Sequence, residues 1–216
     1  KDLLVSFCIL AQEGLEFQFS HRTFQEYFAA VYIASAPDYQ RRELTLRLSP
    51  SLGSSLCLRM LHELNPHIVE GYVLIPELRS LPGFGYNESP SREGFYRLCF
   101  NILTHIEYQG GYAVAWGIAE GYAWNSIKYV QSVYRDRFSD IFVGVPAGMI
   151  DVLNQGEELA RTQLSIAELT LTEDGRKALE SFPMMSFAYY LRTHVILREM
   201  EARQNAVADT LDSILS

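Results

Sequence analysis

The chain has 216 residues, 48% of them hydrophobic and 12% aromatic, with a net charge of −8. That content is enough for a substantial core, in one large domain or two small ones, and excludes a disordered chain. An acidic chain whose basic runs, such as Arg41-Arg42, are short is also a poor general binder of nucleic acid, because it repels phosphate.

The three cysteines, Cys8, Cys57 and Cys99, each lie in an apolar run and form no CxxC pair. They read as buried free thiols in a reducing, cytoplasmic setting, not as zinc ligands or disulfides. No apolar run approaches the ~20 residues a membrane-spanning helix needs, so no membrane partner is expected. The chain opens KDLLVSF, with neither Met nor a signal-peptide pattern, and reads as a piece of a longer protein.

Residues 5–11 (VSFCILA) form a short apolar run, and residues 15–19 alternate strictly as LEFQF. A three-residue connection, Gln12-Glu13-Gly14, lies between them, so the spacing predicts a β-hairpin. A helix is predicted next, with Phe24, Tyr27, Phe28, Val31 and Tyr32 on one buried face. Thr23 and Glu26 have the spacing of a capping box, Ser20 is a rival N-cap, and Pro37 ends the helix.

Further helices are predicted over residues 39–48 and 54–64, and a loop over residues 76–90 (PELRSLPGFGYNESP). Ser89-Pro90 reads as the cap of a helix burying Phe95, Leu98, Cys99, Ile102, Leu103 and Ile106. After Gly110-Gly111, residues 112–134 read as a buried helix, with Gly117 and Gly121 lining one side for close packing. Residues 141–146 suit a strand, and Pro146 a helix start. Another helix follows Thr170-Leu171-Thr172-Glu173-Asp174, whose acidic residues match its dipole. The last helix is predicted over residues 185–215, with a Leu197, Met200, Val207, Leu211, Ile214 seam. The expected fold is thus mainly α: a short N-terminal hairpin, then a multi-helix domain with a long C-terminal helix.

Motifs for chemistry are sparse. There is no phosphate loop, nucleophile elbow, HExxH or Gly-rich dinucleotide turn. His62 and His67 are five apart with Pro66 between them, which is poor spacing for a metal pair and better suits a helix end at the surface. His105 and His194 stand alone and read as structural. Glu157-Glu158 and Glu173-Asp174 read as solvated helix starts. Residues 171–179 (LTEDGRKAL) resemble a wing-to-helix phrase of DNA-binding proteins, but a capped helix start explains them equally well. No catalytic or metal-binding residue is expected, and the chain by itself is expected not to be an enzyme.

His21 differs. It lies at a predicted helix N-terminus directly after a strand, where free amide donors and a positive partial charge suit phosphate. The surrounding stretch FQFSHRTFQEYFAAVYIA (Phe17 to Ala34) closely resembles the winged-helix motif near the C-terminal end of NACHT modules. These belong to the signal-transducing STAND NTPases, related to NOD-like receptors. The matching run is Phe19, Ser20, His21, two variable residues, then Phe24, Gln25, Glu26, Tyr27, Phe28, Ala29 and Ala30. The resemblance covers about residues 1–36, the tail of a winged helix. It implies that His21 contacts the phosphate of a nucleotide held mostly by an upstream NACHT module.

The same resemblance implies ATP or ADP with Mg²⁺ as cofactors of the parent protein, none of them held by this chain alone. Residues 37–216 would then form a helical sensor or regulatory domain. A protein trigger or ligand acting on that domain would permit nucleotide exchange and self-oligomerisation, as in bacterial anti-phage defence. Two other readings stand beside it. One is a helical interaction scaffold indifferent to nucleotide. The other is an enzyme assembled from scattered residues such as His105, Glu120 and His194, which no spacing supports.

Overall fold

The computed structural model describes residues 9–13, 16–109, 112–118, 122–141, 162–165, 171, 173–180 and 186–215. The fold is mainly α, with an N-terminal hairpin and a 29-residue last helix. Two compact units divide it. One is Lys1–Leu74 with Arg203–Ser216, the other Ile75–Ala202. Among the described residues no helix is long and apolar enough to cross a membrane.

In the first unit, β1 (Leu10–Glu13) pairs antiparallel with β2 (Glu16–Phe19), from Leu10 opposite Phe19 to Glu13 opposite Glu16. Pairing therefore reaches Gln12 and Glu13, which the sequence pattern assigns to the connection. The Ser20 amide and hydroxyl both donate to the Ile9 carbonyl, at 2.8 and 3.1 Å, and close the open end of the hairpin. Helix α1 (Arg22–Ser35) follows at once and ends before Pro37, as expected. Its N-cap is His21, neither Ser20 nor Thr23, and no capping box forms; Glu26 instead accepts from Arg22 at 3.0 Å.

The buried face of α1 also differs from expectation. Ala30 and Ile33 are buried, while Tyr27, Phe28 and Tyr32 are exposed, as are Phe17 and Phe19 on β2. The reason is steric. Helix α1 packs on α3 (Leu56–Leu64), and small Ala30 admits the neighbouring backbone where an aromatic ring would hold it off. Leu58 and Leu61 of α3 are fully buried there, and the Ser55 hydroxyl caps the helix by accepting from the Leu58 amide at 3.2 Å. Helix α2 (Asp38–Leu48) and a 3-10 turn (Ser49–Ser51) connect α1 to α3.

After α3 come α4 (Pro66–Val69) and a π-helical turn (Glu70–Leu74). The turn carries a fully buried carboxylate, Glu70. Arg203, on the last helix α9 (Phe187–Leu215), donates to it through Nη2 at 2.8 Å and Nε at 3.3 Å. The His62 imidazole lies 3.5 Å from the same carboxylate. Gln204, the next residue, donates to the His67 carbonyl at 3.0 Å. A Cβ on Gly71 would meet the Gln204 amide at 3.1 Å, so Gly71 leaves the space that this bond needs.

In the second unit, α5 (Ile75–Ser80) occupies the start of the stretch predicted as loop. Its Pro76 follows the π-helical turn without a break and, lacking an amide, donates no helical hydrogen bond. Helix α6 (Arg92–Ile102) is capped by Ser91, whose hydroxyl accepts from the Gly94 amide at 3.1 Å, so the start lies two residues beyond the Ser89-Pro90 signal. It buries Phe95, Leu98, Cys99 and Ile102 as predicted, but the chain then turns into β3 (Leu103–Gln109).

Strand β4 (Tyr112–Ile118) pairs antiparallel with β3, and β5 (Thr162–Ser165) pairs with its other edge, giving the order β4-β3-β5. The single helix predicted over 112–134 is thus a strand followed by α7 (Tyr122–Val133), and Gly117 faces His105 across the sheet. The physical signal is period 2. Tyr112, Val114, Trp116 and Ile118 alternate with Ala113, Ala115 and Gly117, and Gly110-Gly111 is a hairpin dipeptide. A 3-10 turn (Arg135–Phe138), α8 (Glu173–Glu180) and part of α9 are the other elements among the unit's described residues. The strand expected at 141–146 and the helix start at Pro146 lie outside the described residues, apart from Ile141.

The loop between α5 and α6 is fastened by α5 and α9. Arg79 donates to Glu201 at 2.7 and 2.5 Å and to the Phe84 and Gly85 carbonyls at 2.8 and 2.9 Å. Tyr190 donates to the Gly83 carbonyl at 2.9 Å. Gly83 has φ +85°, and a Cβ there would lie 2.5 Å from the Gly94 carbonyl oxygen, so only glycine fits.

The first unit carries a clear test. Arg203→Met leaves the buried Glu70 carboxylate without its guanidinium, and because Arg203 is partly exposed the loss is about 2 kcal/mol, below that of a fully buried pair. Urea denaturation of the variant should show this, and Glu70→Met combined with Arg203→Met should recover part of it.

Candidate functional site

His21 stands at the head of α1 with extended backbone angles, φ −135° and ψ 138°. The side chain makes no capping hydrogen bond and is exposed; its ring lies 6.4 Å from that of Phe24, tilted by 57°. The hairpin delivers the chain to this point, and the extended conformation turns it into the 14-residue helix. An imidazole here stands beside the first helical turn, whose leading amides have no helical carbonyl one turn back to donate to, a setting that suits an anion; the Phe24 amide donates to the His21 carbonyl at 3.1 Å. The neighbouring aromatics form a surface, with Phe19 stacked on Phe28 at 5.7 Å and Phe28 edge-on to Tyr27 at 5.5 Å.

A cleft of about 650 Å³ opens on the other side of the α1 N-terminal half. From α1 it takes Arg22, Gln25, Glu26, Ala29, Tyr32 and Ile33, and from α2 Leu44, Arg47 and Leu48. Ser51, Ser54 and Ser55 close it beside Cys57. Arg47 donates to Glu43 at 2.5 Å, one turn back on its own helix. Burial first, and the Glu26 carboxylate second, push the Cys57 thiol up, so it stays protonated and unreactive. The sequence names Gln25, Glu26 and Ala29 only as parts of the motif, Tyr32 only as a helix-face residue and Cys57 only as a buried thiol; none of the lining residues was read as part of a cleft. The Arg22/Glu26 and Glu43/Arg47 spacings are visible there, but only packing brings the two arginines to one cleft.

The remaining histidines lie elsewhere in the fold. His62 is buried beside Glu70, away from the surface helix end expected for it. His67 is half-buried, with its carbonyl taken by Gln204. His105 lies in β3, opposite Gly117 and Ser165. No group of metal-ligating side chains gathers among the described residues. Glu120 and the Glu157-Glu158 pair lie outside the described residues. Glu173 pairs with Lys177 at 2.8 Å on an exposed face, which draws its carboxyl below the usual range.

His194 is sealed in the second unit, 2% exposed. It stacks on Phe84 at 4.3 Å and lies edge-on to Tyr190 at 4.7 Å. Burial lowers its pKa to about 4, opposed by a hydrogen bond with the Gly83 backbone and reinforced by Arg198 and Arg79. The ring is neutral in the fold, which suits a packing role and not acid–base work.

No family model, curated protein or solved structure gives a significant match to the chain.

The His194 environment sets a pH dependence. Its folded pKa is below the ordinary 6.5, so this contribution is fully present above pH 6.5 and is lost as pH falls towards 4. The loss amounts to about 3 kcal/mol for a shift of this size. Thermal denaturation across that window should show a fall in stability that His194→Phe removes.

Proposed function

We propose that the chain is the C-terminal regulatory part of a NACHT-type signal-transducing NTPase, acting in the cytoplasm, with anti-phage defence as its setting. Its role is to couple recognition of a trigger to nucleotide exchange and self-oligomerisation of the whole protein. The observation that carries this reading is His21. It is an exposed N-cap histidine with no side-chain cap bond, directly between a hairpin and a 14-residue helix, within the sequence FSHRTFQEYFAA.

A second observation supports it. All four residues of β2 are exposed, as are Tyr27 and Phe28 of α1. A two-stranded hairpin is marginal in water unless something covers it, and contiguous exposed aromatics mark an interaction surface. An upstream nucleotide module docked on this face would cover those rings and bring a phosphate to His21. The chemistry of ATP and Mg²⁺ would belong to that module. His21 would donate a hydrogen bond to the phosphate and favour the closed, ADP-bound state.

The test uses the full polypeptide. His21→Ala removes one hydrogen bond to a charged group, worth roughly 1.5–3 kcal/mol, or about 10- to 100-fold in ADP release. Stopped-flow release of a fluorescent ADP analogue measures it, and a release rate equal to the parent's overturns the assignment.

A further inference from the structure

We propose that the cleft between α1, α2 and the start of α3 binds an anionic amphiphile, a molecule with an apolar body and a single carboxylate or phosphate head. Its volume of about 650 Å³ lies in the range of small-molecule sites. Ala29, Ile33, Leu44 and Leu48 supply apolar wall, and Arg22 and Arg47 supply the charge.

Two guanidinium groups, Arg22 and Arg47, line the cleft, and each has one carboxylate beside it, Glu26 and Glu43, so the charges there balance. Each arginine now rests against a carboxylate one turn away on its own helix, Arg22 on Glu26 and Arg47 on Glu43. Pairs of this kind on an exposed helix contribute little, so either guanidinium can exchange its partner for a ligand head at small cost. Guanidinium groups match carboxylate and phosphate with two parallel hydrogen bonds. The floor adds no opposing charge, because the Cys57 thiol stays protonated. Apolar wall and exchangeable guanidinium donors together favour an anionic amphiphile over a small inorganic anion, which has no apolar body, and over a cationic amphiphile, which offers the guanidinium no acceptor.

The site does not rest on the nucleotide reading, and its test leaves that reading untouched. Isothermal titration calorimetry of the 216-residue chain uses dodecanoate and dodecyl phosphate below their micelle-forming concentrations, with acetate, inorganic phosphate and dodecyltrimethylammonium as contrasts. One or both anionic amphiphiles should bind saturably, at one site, about tenfold or more tighter than any contrast. The double variant Arg22→Gln/Arg47→Gln should weaken that binding about tenfold, and Ala29→Trp, which fills the cleft from an exposed position, should abolish it. Circular dichroism checks that each variant is folded. Equal binding of dodecyltrimethylammonium, no saturable binding, or affinity unchanged in the folded arginine variant overturns the proposal. If Ala29→Trp does not fold, the arginine variant decides alone.

Discussion

A carboxylate with no access to water must be matched by a cation, and Glu70 imposes that condition on the first unit. Arg203 meets it from the last helix, and Gln204 extends the attachment to the His67 carbonyl. The unit therefore includes a segment more than 130 residues away in sequence from the turn it serves. The turn itself is π-helical, and Gly71 within it leaves room for the Gln204 side chain. The second unit repeats the device with its own pair: Arg79 reaches Glu201 and two loop carbonyls at once. In both units an arginine fork fixes how α9 packs, because its planar donors satisfy a carboxylate in only a few geometries.

The aromatics of the first 32 residues follow a different rule. Phe17, Phe19, Tyr27, Phe28 and Tyr32 have the spacing of a buried strand face and a buried helix face, yet they are exposed. The core contact uses Ala30 and Ile33 instead, because two helices approach closely only where the side chains between them are small. What remains outside is a stacked aromatic surface beside His21. This is the feature on which the proposed docking of an upstream module depends.

Much of the fold was legible in local signals. Pro37 after α1, the apolar spacing of α3 and α6, and the long periodic run of α9 each place a helix within a few residues of where it lies. The β3–β4 hairpin was misread because Tyr112 to Ile118 is apolar throughout, and a helix buried all round has the same composition as a strand alternating large and small. The cap positions shifted for a related reason. Ser, Thr and Pro all favour helix starts, and the choice among Ser20, His21 and Thr23, or between Ser89 and Ser91, is made by where the preceding chain must enter.

His21 was found from sequence because it lies in a contiguous pattern. The cleft was not, because its two arginines are 25 positions apart and meet only through the packing of α1, α2 and α3. By itself the sequence determined the mainly helical class, the positions of most helices and a histidine, His21, at the head of α1, all properties of neighbours along the chain. The tertiary structure decided which face of α1 is core, that residues 112–118 join a sheet, which carboxylates are buried and where a cleft opens. These depend on distant residues excluding water together, and no local pattern carries that information.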